Sequence, residues 1–188
     1  MRPNKRDELI QKAFKTFYRE GFHATGMDLL AAETGISKTS MYKHFRTKED
    51  LILAVLRYRD ESFRNWFVRR VEELAKTPKE QLVALFDVLG EWIALPEFSS
   101  CMFIKASSEY PEPDDPIHAQ SAEHKRLLFT YVQNLAKQAG ARDPDALARQ
   151  LLVLKEGAIV TAHMGHSRDP AADAKKVAQL LVDIAVPS

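Results

Sequence analysis

The sequence predicts an all-α protein of about nine helices, in which a small N-terminal helix-turn-helix domain precedes a larger helical domain. Three observations support this prediction. Apolar residues recur at helical spacing along most of the chain, and no segment alternates in the manner of a strand bounded by hairpin turns. A capping side chain followed by proline, which is a typical helix start, occurs at Thr77-Pro78, Asp143-Pro144 and Asp169-Pro170.

The N-terminal third predicts four helices with clear end signals. The first runs from near Asn4 to Gly21, a residue type that suits the left-handed position after a helix. The second begins near Met27 and stops at Gly35. Ser37 can cap a short third helix, because its hydroxyl can accept a hydrogen bond from a free backbone N–H of the first turn.

The fourth helix is long. Thr47 caps it, and no breaker follows until Thr77-Pro78, so it spans roughly 42 Å and can enter both domains. The next segment, Leu82–Ile93, is apolar on nearly all sides and is expected to be buried. The remaining predicted helices are Phe98–Tyr110, one that follows the proline-rich loop 111–116 and ends at Gly140, 144–166, and 170–186.

Composition limits the kind of protein. The apolar content of 45% is that of a globular domain, and a single cysteine excludes an internal disulfide framework. There is no apolar run of about 18 residues, and the charged N-terminus lacks the apolar core of a signal peptide. We therefore expect a cytoplasmic protein without membrane contact.

The third helix concentrates groups that suit DNA. Between Ile36 and Lys48 there are four Lys/Arg, one histidine and no acid, although the whole chain has a net charge of only +1. Helical spacing buries Met41 and Phe45, which leaves the polar side chains outside. The candidates for base contacts are Thr39, Ser40 and Lys43, and those for phosphate contacts are Thr25, Tyr42, His44 and Lys48. The alternatives are a merely solvated basic face, Tyr42 as a lid on the core, and His44 as a local cap.

The same segment resembles the TetR family of one-component transcriptional repressors. The matched pattern is Phe17-x3-Gly21-Phe22-x2-Thr25, then Ala31-x3-Gly35-Ile36-Ser37-Lys38-x2-Met41-Tyr42-x-His44-Phe45-x-Thr47-Lys48-Glu49-x-Leu51. The chain departs from the usual pattern at Gly26, where a serine or threonine is common, at Leu30 in place of isoleucine, and at Thr39 in place of glycine.

The resemblance implies a homodimer with a DNA-binding domain over residues 1–47 and an effector-binding and dimerisation domain over 48–188. It implies a palindromic double-stranded DNA operator as partner, with base contacts near Thr39, Ser40 and Lys43. It also implies phosphate contacts at Thr25, Ser37, Lys38, Tyr42, His44 and Lys48.

The C-terminal domain is less specific. Its many large side chains suit an apolar pocket for an unknown, partly apolar effector, with plain core packing as the alternative for each of them. The pocket candidates are Phe63, Phe67, Phe86, Trp92, Met102, Phe103 and Phe129. Cys101 lies near a helix start, where a thiol can become reactive, and is either a redox or electrophile sensor or an inert buried residue.

The last two helices carry apolar stripes that predict the dimer interface, with packing inside one chain as the alternative. The interface candidates are Leu151, Ala158, Ile159, Ala162, Val177, Leu181 and Ile184. The sequence contains no nucleophile–base pair, metal cluster or phosphate loop, so we expect neither an enzyme nor a cofactor or metal. The predicted function is a ligand-responsive repressor, with an activator of the same architecture or a Cys101-based sensor as alternatives.

Overall fold

The computed structural model describes residues 4–187, and this range folds into nine α-helices without strands. The prediction of an all-α protein is confirmed. The helices are α1 Lys5–Glu20, α2 Met27–Thr34, α3 Lys38–His44, α4 Lys48–Leu74, α5 Pro78–Ile93, α6 Met102–Glu109, α7 Pro116–Gln138, α8 Pro144–Met164 and α9 Pro170–Ala185.

Most helix ends lie where the sequence signals place them. The Asn4 side chain accepts a hydrogen bond from the Asp7 N–H, and Gly35 ends α2 with a left-handed φ of +68°. Thr77 forms a reciprocal capping box with Glu80 at the start of α5. These bonds satisfy backbone groups that a helix leaves free at its ends, which explains why local sequence fixes the boundaries.

One predicted boundary is wrong. The helix expected from Phe98 begins at Met102, because Ser100 has a left-handed φ of +66° that no continuous helix allows. The Phe98 N–H instead donates to the Leu95 carbonyl in a turn that follows α5.

The described chain forms two compact units. The first comprises the residues up to Phe63 together with Cys101–His124, and the second comprises 64–100 with the residues from Lys125 onwards. The first unit contains the helix-turn-helix around a core that includes Leu9, Phe17 and Met41. The proposed division at residues 47 and 48 stays a prediction, since these units also assign α6 and parts of α4 and α7 to the helix-turn-helix side.

The second unit is organised around α5, as its apolar sequence predicts. Eight side chains of α5 are buried, and α9 packs against both α5 and α8. Ion pairs join Lys175 with Asp87 at 2.6 Å and Lys79 with Asp183 at 3.2 Å at the surface of the α5–α9 contact. None of the helices within residues 4–187 combines the length and the apolar character needed to cross a membrane.

Candidate nucleic-acid interface

Helix α3 presents a polar face. Ser37 caps it by accepting a hydrogen bond from the Ser40 N–H at 3.3 Å, and Met41 points into the core with no exposed surface. On the other side Thr39, Lys43 and His44 are exposed, and Tyr42 exposes 51% of its surface. The structure therefore brings Thr39 and Lys43 to one exposed helix face, with the third candidate for base contact, Ser40, half-buried beside them.

An acidic residue of α2 forms an ion pair with the first residue of α3. The Lys38 ammonium lies 2.7 Å from the Asp28 carboxylate, and this hydrogen-bonded pairing raises the pKa of Lys38. Both groups face solvent, so the pair is weak and a DNA phosphate can compete for the lysine. The charge pattern of α3 does not predict this pair, because Asp28 lies ten positions before Lys38 on another helix.

Two predicted phosphate contacts also hold the turn between α1 and α2. The Thr25 hydroxyl is fully buried and donates to the Gly21 carbonyl at 2.6 Å. The Lys48 ammonium donates to the Phe22 carbonyl at 3.0 Å and keeps partial exposure. This placement corrects the role expected of Thr25, because its hydroxyl has no surface to offer a phosphate, while Lys48 retains two further N–H donors.

Side chains of helix α6 form hydrogen bonds with the α1–α2 turn and with the end of α1. The Glu109 carboxylate accepts hydrogen bonds from the N–H groups of Phe22, at 3.0 and 3.1 Å, and of His23. The Lys105 ammonium donates to the Tyr18 carbonyl at 3.0 Å, near the end of α1. These residues lie 86 or 87 positions apart in sequence, so no local pattern could have found them.

The first unit also holds four residues predicted for effector sensing. Phe63, Met102 and Phe103 are buried, as is Cys101 with 4% exposure. The Phe103 ring stacks on the His124 ring at 3.7 Å between centroids. His124 Nδ1 in turn lies 2.7 Å from the Asp60 carboxylate, which gives a buried polar pair among apolar side chains.

The other pocket candidates lie in the second unit and occupy different surroundings. Phe67 and Phe86 line a small cavity of about 10 Å³, which has room for about one water. Trp92 packs edge-on against Phe98 at 5.1 Å, and Phe129 lines an open groove between α7 and α8. These four side chains therefore do not share one cavity.

The dimer candidates divide into buried and exposed residues. Leu151, Ala158 and Ile159 are buried within the single chain, which leaves them almost no surface to bury against a partner. The structure therefore corrects their predicted role, because these three residues pack within the chain and cannot form the dimer interface. Ala162 and Leu181 are half-buried, whereas Val177 and Ile184 are exposed. The large apolar side chains that α8 and α9 expose are Val153, Val160, Met164, Val177, Leu180 and Ile184.

Metal chemistry has no visible site in the part of the chain that the structure describes. No group of three or more His, Cys, Asp or Glu side chains is placed there to hold an ion.

Comparison with known proteins adds a family context. The family model described as "Bacterial regulatory proteins, tetR family" matches residues 9–55. The chain is similar to the HTH-type transcriptional regulator YjdC of Escherichia coli, with 22% identity over 93% of this chain and 91% of that protein. It also shares 36% identity with the HTH-type transcriptional repressor KstR2 of Mycolicibacterium smegmatis, over 44% of this chain and 40% of that one.

A solved structure has the same fold over nearly its whole length. SCO4454, a TetR-family transcriptional regulator from Streptomyces coelicolor, superposes with a TM-score of 0.88 at 28% identity, covering 97% of this chain and 96% of that one. These similar proteins are transcriptional regulators and not enzymes, which confirms the prediction that the chain has no enzymatic role.

Proposed function

Because the chain belongs to the TetR family of DNA-binding transcriptional regulators, we propose that it is a repressor that acts as a homodimer on a palindromic operator. In this proposal a small-molecule effector releases it from DNA in the bacterial cytoplasm. The observation that carries the proposal is the exposed face of α3, where a lysine and hydroxyl groups stand clear of the core.

The division of roles on this face follows from chemistry. Lys43 suits the O6 and N7 acceptors of guanine, while the hydroxyls of Thr39 and Ser40 suit several bases. Ser37, Lys38, Tyr42, His44 and Lys48 surround these residues and are proposed to contact phosphates, which fix the position of the helix on DNA.

Exposed apolar side chains on α8 and α9 support the homodimer. Val160, Leu180 and Ile184 expose 50%, 64% and 73% of their surface. A two-fold axis through such a stripe would bury it in an isologous four-helix contact. A palindromic operator would then receive one α3 from each subunit in successive major grooves, about 34–36 Å apart.

The proposed effector response requires two states with different operator affinity, and the effector must bind one of them better. Helix α4 supplies residues to both compact units and is the proposed connection between effector and DNA. The apolar lining of the open groove between α7 and α8 supports an effector with apolar character.

A combined footprinting and oligomer experiment tests the proposal. We expect wild-type protein to protect a palindrome, and Leu180→Glu to give a monomer that no longer does so. Leu95→Glu is the matched control, because Leu95 is also an exposed leucine but lies after α5. A Leu180→Glu protein that remains dimeric and binds as wild type would refute the proposed interface.

Transcription from the footprinted promoter separates repressor from activator. Added protein lowers the transcript level if the proposal is correct, whereas an increase would establish the activator alternative.

A second candidate function is sensing through Cys101. The charges of Arg59 and Lys105 lie within electrostatic reach of its sulfur, whereas burial limits the access of an oxidant or electrophile to it. Loss of oxidant-induced release in Cys101→Ser would support this alternative, and unchanged release would end it.

A further inference from the structure

An open groove of about 700 Å³ runs between α7 and α8 in the second unit. We propose that it binds an organic anion with an apolar body, whose carboxylate or phosphate head group is attracted by the basic side chains of the lining, Lys125, Arg126 and Arg149. The inference deepens the proposed function, because this anion would be the effector.

The floor of the groove is apolar. Leu128 and Phe129 of α7 face Leu152 and Val153 of α8, and Val153 exposes 72% of its surface. The volume lies within the range of about 300–1,000 Å³ that small-molecule sites occupy. Such a floor favours the hydrocarbon part of a ligand, because binding removes apolar surface of both from water.

The charged residues around the floor decide the sign of the ligand. Lys125, Arg126 and Arg149 line the groove with Glu156 as the one acid of the lining. A guanidinium can bind a carboxylate or a phosphate through two parallel hydrogen bonds. The excess of positive charge therefore favours an anionic head group over a neutral or cationic one.

Glu156 shows how an anion is held here. Its Oε1 lies 2.8 Å from the Lys125 ammonium and 3.1 Å from that of Lys155. Burial raises the pKa of Glu156, but the two lysines outweigh this effect and the net pKa is lowered, so the side chain stays charged. Its Oε2 is buried and has no hydrogen-bond partner among the described residues. A ligand head group would therefore compete with Glu156 for the Lys125 ammonium, and one of the two oxygens of this carboxylate has no hydrogen bond within the described part of the chain.

Two leucines connect the groove with the interior. Leu128 and Leu152 line both the groove and the small cavity that Phe67 and Phe86 also line. A ligand tail that separates these leucines would enlarge the cavity toward α4 and α5. Binding in the groove would thus alter the packing of α4, which the proposed function requires.

The test is a calorimetric binding titration of the full chain with four ten-carbon compounds. Each compound is kept below its micelle concentration. The probes are decanoate, decyl phosphate, decan-1-ol and decyltrimethylammonium. We expect at least one of the two anions to bind about tenfold more tightly than the alcohol, and the cation to bind least. The preferred anion identifies the head group as carboxylate or phosphate, and equal binding of anion and alcohol would overturn the inference.

Three variants locate the site. Arg149→Glu should weaken binding of the preferred anion about tenfold, while Arg168→Glu, the same change at an exposed arginine between α8 and α9, should leave it unchanged. Glu156→Gln should tighten binding about threefold, because it removes the competing carboxylate. A damaged fold would not tighten binding, so weaker or unchanged binding by Glu156→Gln overturns the inference.

The alternative occupant of the groove is a second copy of the chain. In that case no probe binds and Arg149→Glu changes the oligomeric state measured by light scattering, which would also overturn the inference. Footprinting on the operator tests the effector role independently of binding to the groove. An anion that binds the groove without affecting the footprint would support the site and refute only its role as effector.

Discussion

Replacing Glu109 should loosen the attachment of the α1–α2 turn to α6. The carboxylate accepts hydrogen bonds from two consecutive backbone N–H groups, those of Phe22 and His23. It also approaches Gly21 so closely that a Cβ added there would lie 3.0 Å from its Oε1. Gly21 has a φ of +87°, a left-handed value that a glycine adopts without strain.

The magnitude follows from the two amides. A hydrogen bond to a charged group contributes about 1.5–3 kcal/mol, and the lower end applies because this site is partly exposed. Glu109→Ala removes both bonds and should lower the free energy of unfolding by about 3 kcal/mol. Glu109→Gln keeps an acceptor oxygen without the charge, so about half of that loss is expected.

Urea denaturation measures the global effect, and amide hydrogen exchange measures the local one. Exchange of the Phe22 and His23 amides should accelerate in Glu109→Ala, while the amides of α5 remain protected until the lower global stability limits them. Glu112→Ala is the matched control, because Glu112 is an exposed acid three residues further along.

Two results would refute this reasoning. One is an unfolding free energy of Glu109→Ala within about 0.5 kcal/mol of the Glu112→Ala value, which is the usual range for a neutral surface change. The other is unchanged exchange at Phe22 and His23, which would mean that these amides are protected without the carboxylate.

Three further predictions concern single side chains. Gly26→Ser should stabilise the protein by a few tenths of a kcal/mol in urea denaturation, because Gly26 is the N-cap of α2 and an added Cβ meets no described atom within 4 Å; a loss of stability would contradict this. Lys43→Ala should weaken operator binding about tenfold and relax the preference at one base pair in a binding-site selection, whereas Lys15→Ala on α1 stays within twofold; equal effects would exclude a base contact. Asp60→Asn should lower the free energy of unfolding by about 3 kcal/mol in thermal or urea melts, since it leaves the buried His124 without its carboxylate, and a change below 0.5 kcal/mol would show that the pair is dispensable.

The extent to which sequence predicts this molecule depends on how far apart the interacting residues lie. Helix starts at Asn4, Ser37 and Thr77 were predictable because each cap bonds to a backbone group three residues away. The Glu109 contact with Phe22 was not, because nothing near either residue indicates a partner 87 positions distant.

Side-chain direction was the second limit. Helix α8 carries two apolar stripes at helical spacing, one with Leu151 and Ala158 and another with Val153 and Val160. Periodicity predicts both stripes equally and cannot tell which packs within the chain. The structure buries the first pair and exposes the second, so the exposed stripe lies on a different face of α8 from the predicted interface, while the element itself is as predicted.

The shape of the α1–α2 turn and its attachment to α6 depend on different hydrogen bonds. Thr25 and Lys48 donate to the carbonyls of Gly21 and Phe22, whereas Glu109 accepts from N–H groups of the same turn. Because the donors and the acceptor use different backbone atoms, loss of the carboxylate leaves the two carbonyl contacts intact. The turn should therefore keep its shape in Glu109→Ala while its attachment to α6 is lost. Hydrogen exchange can separate these effects, since only the amides that Glu109 binds lose their acceptor.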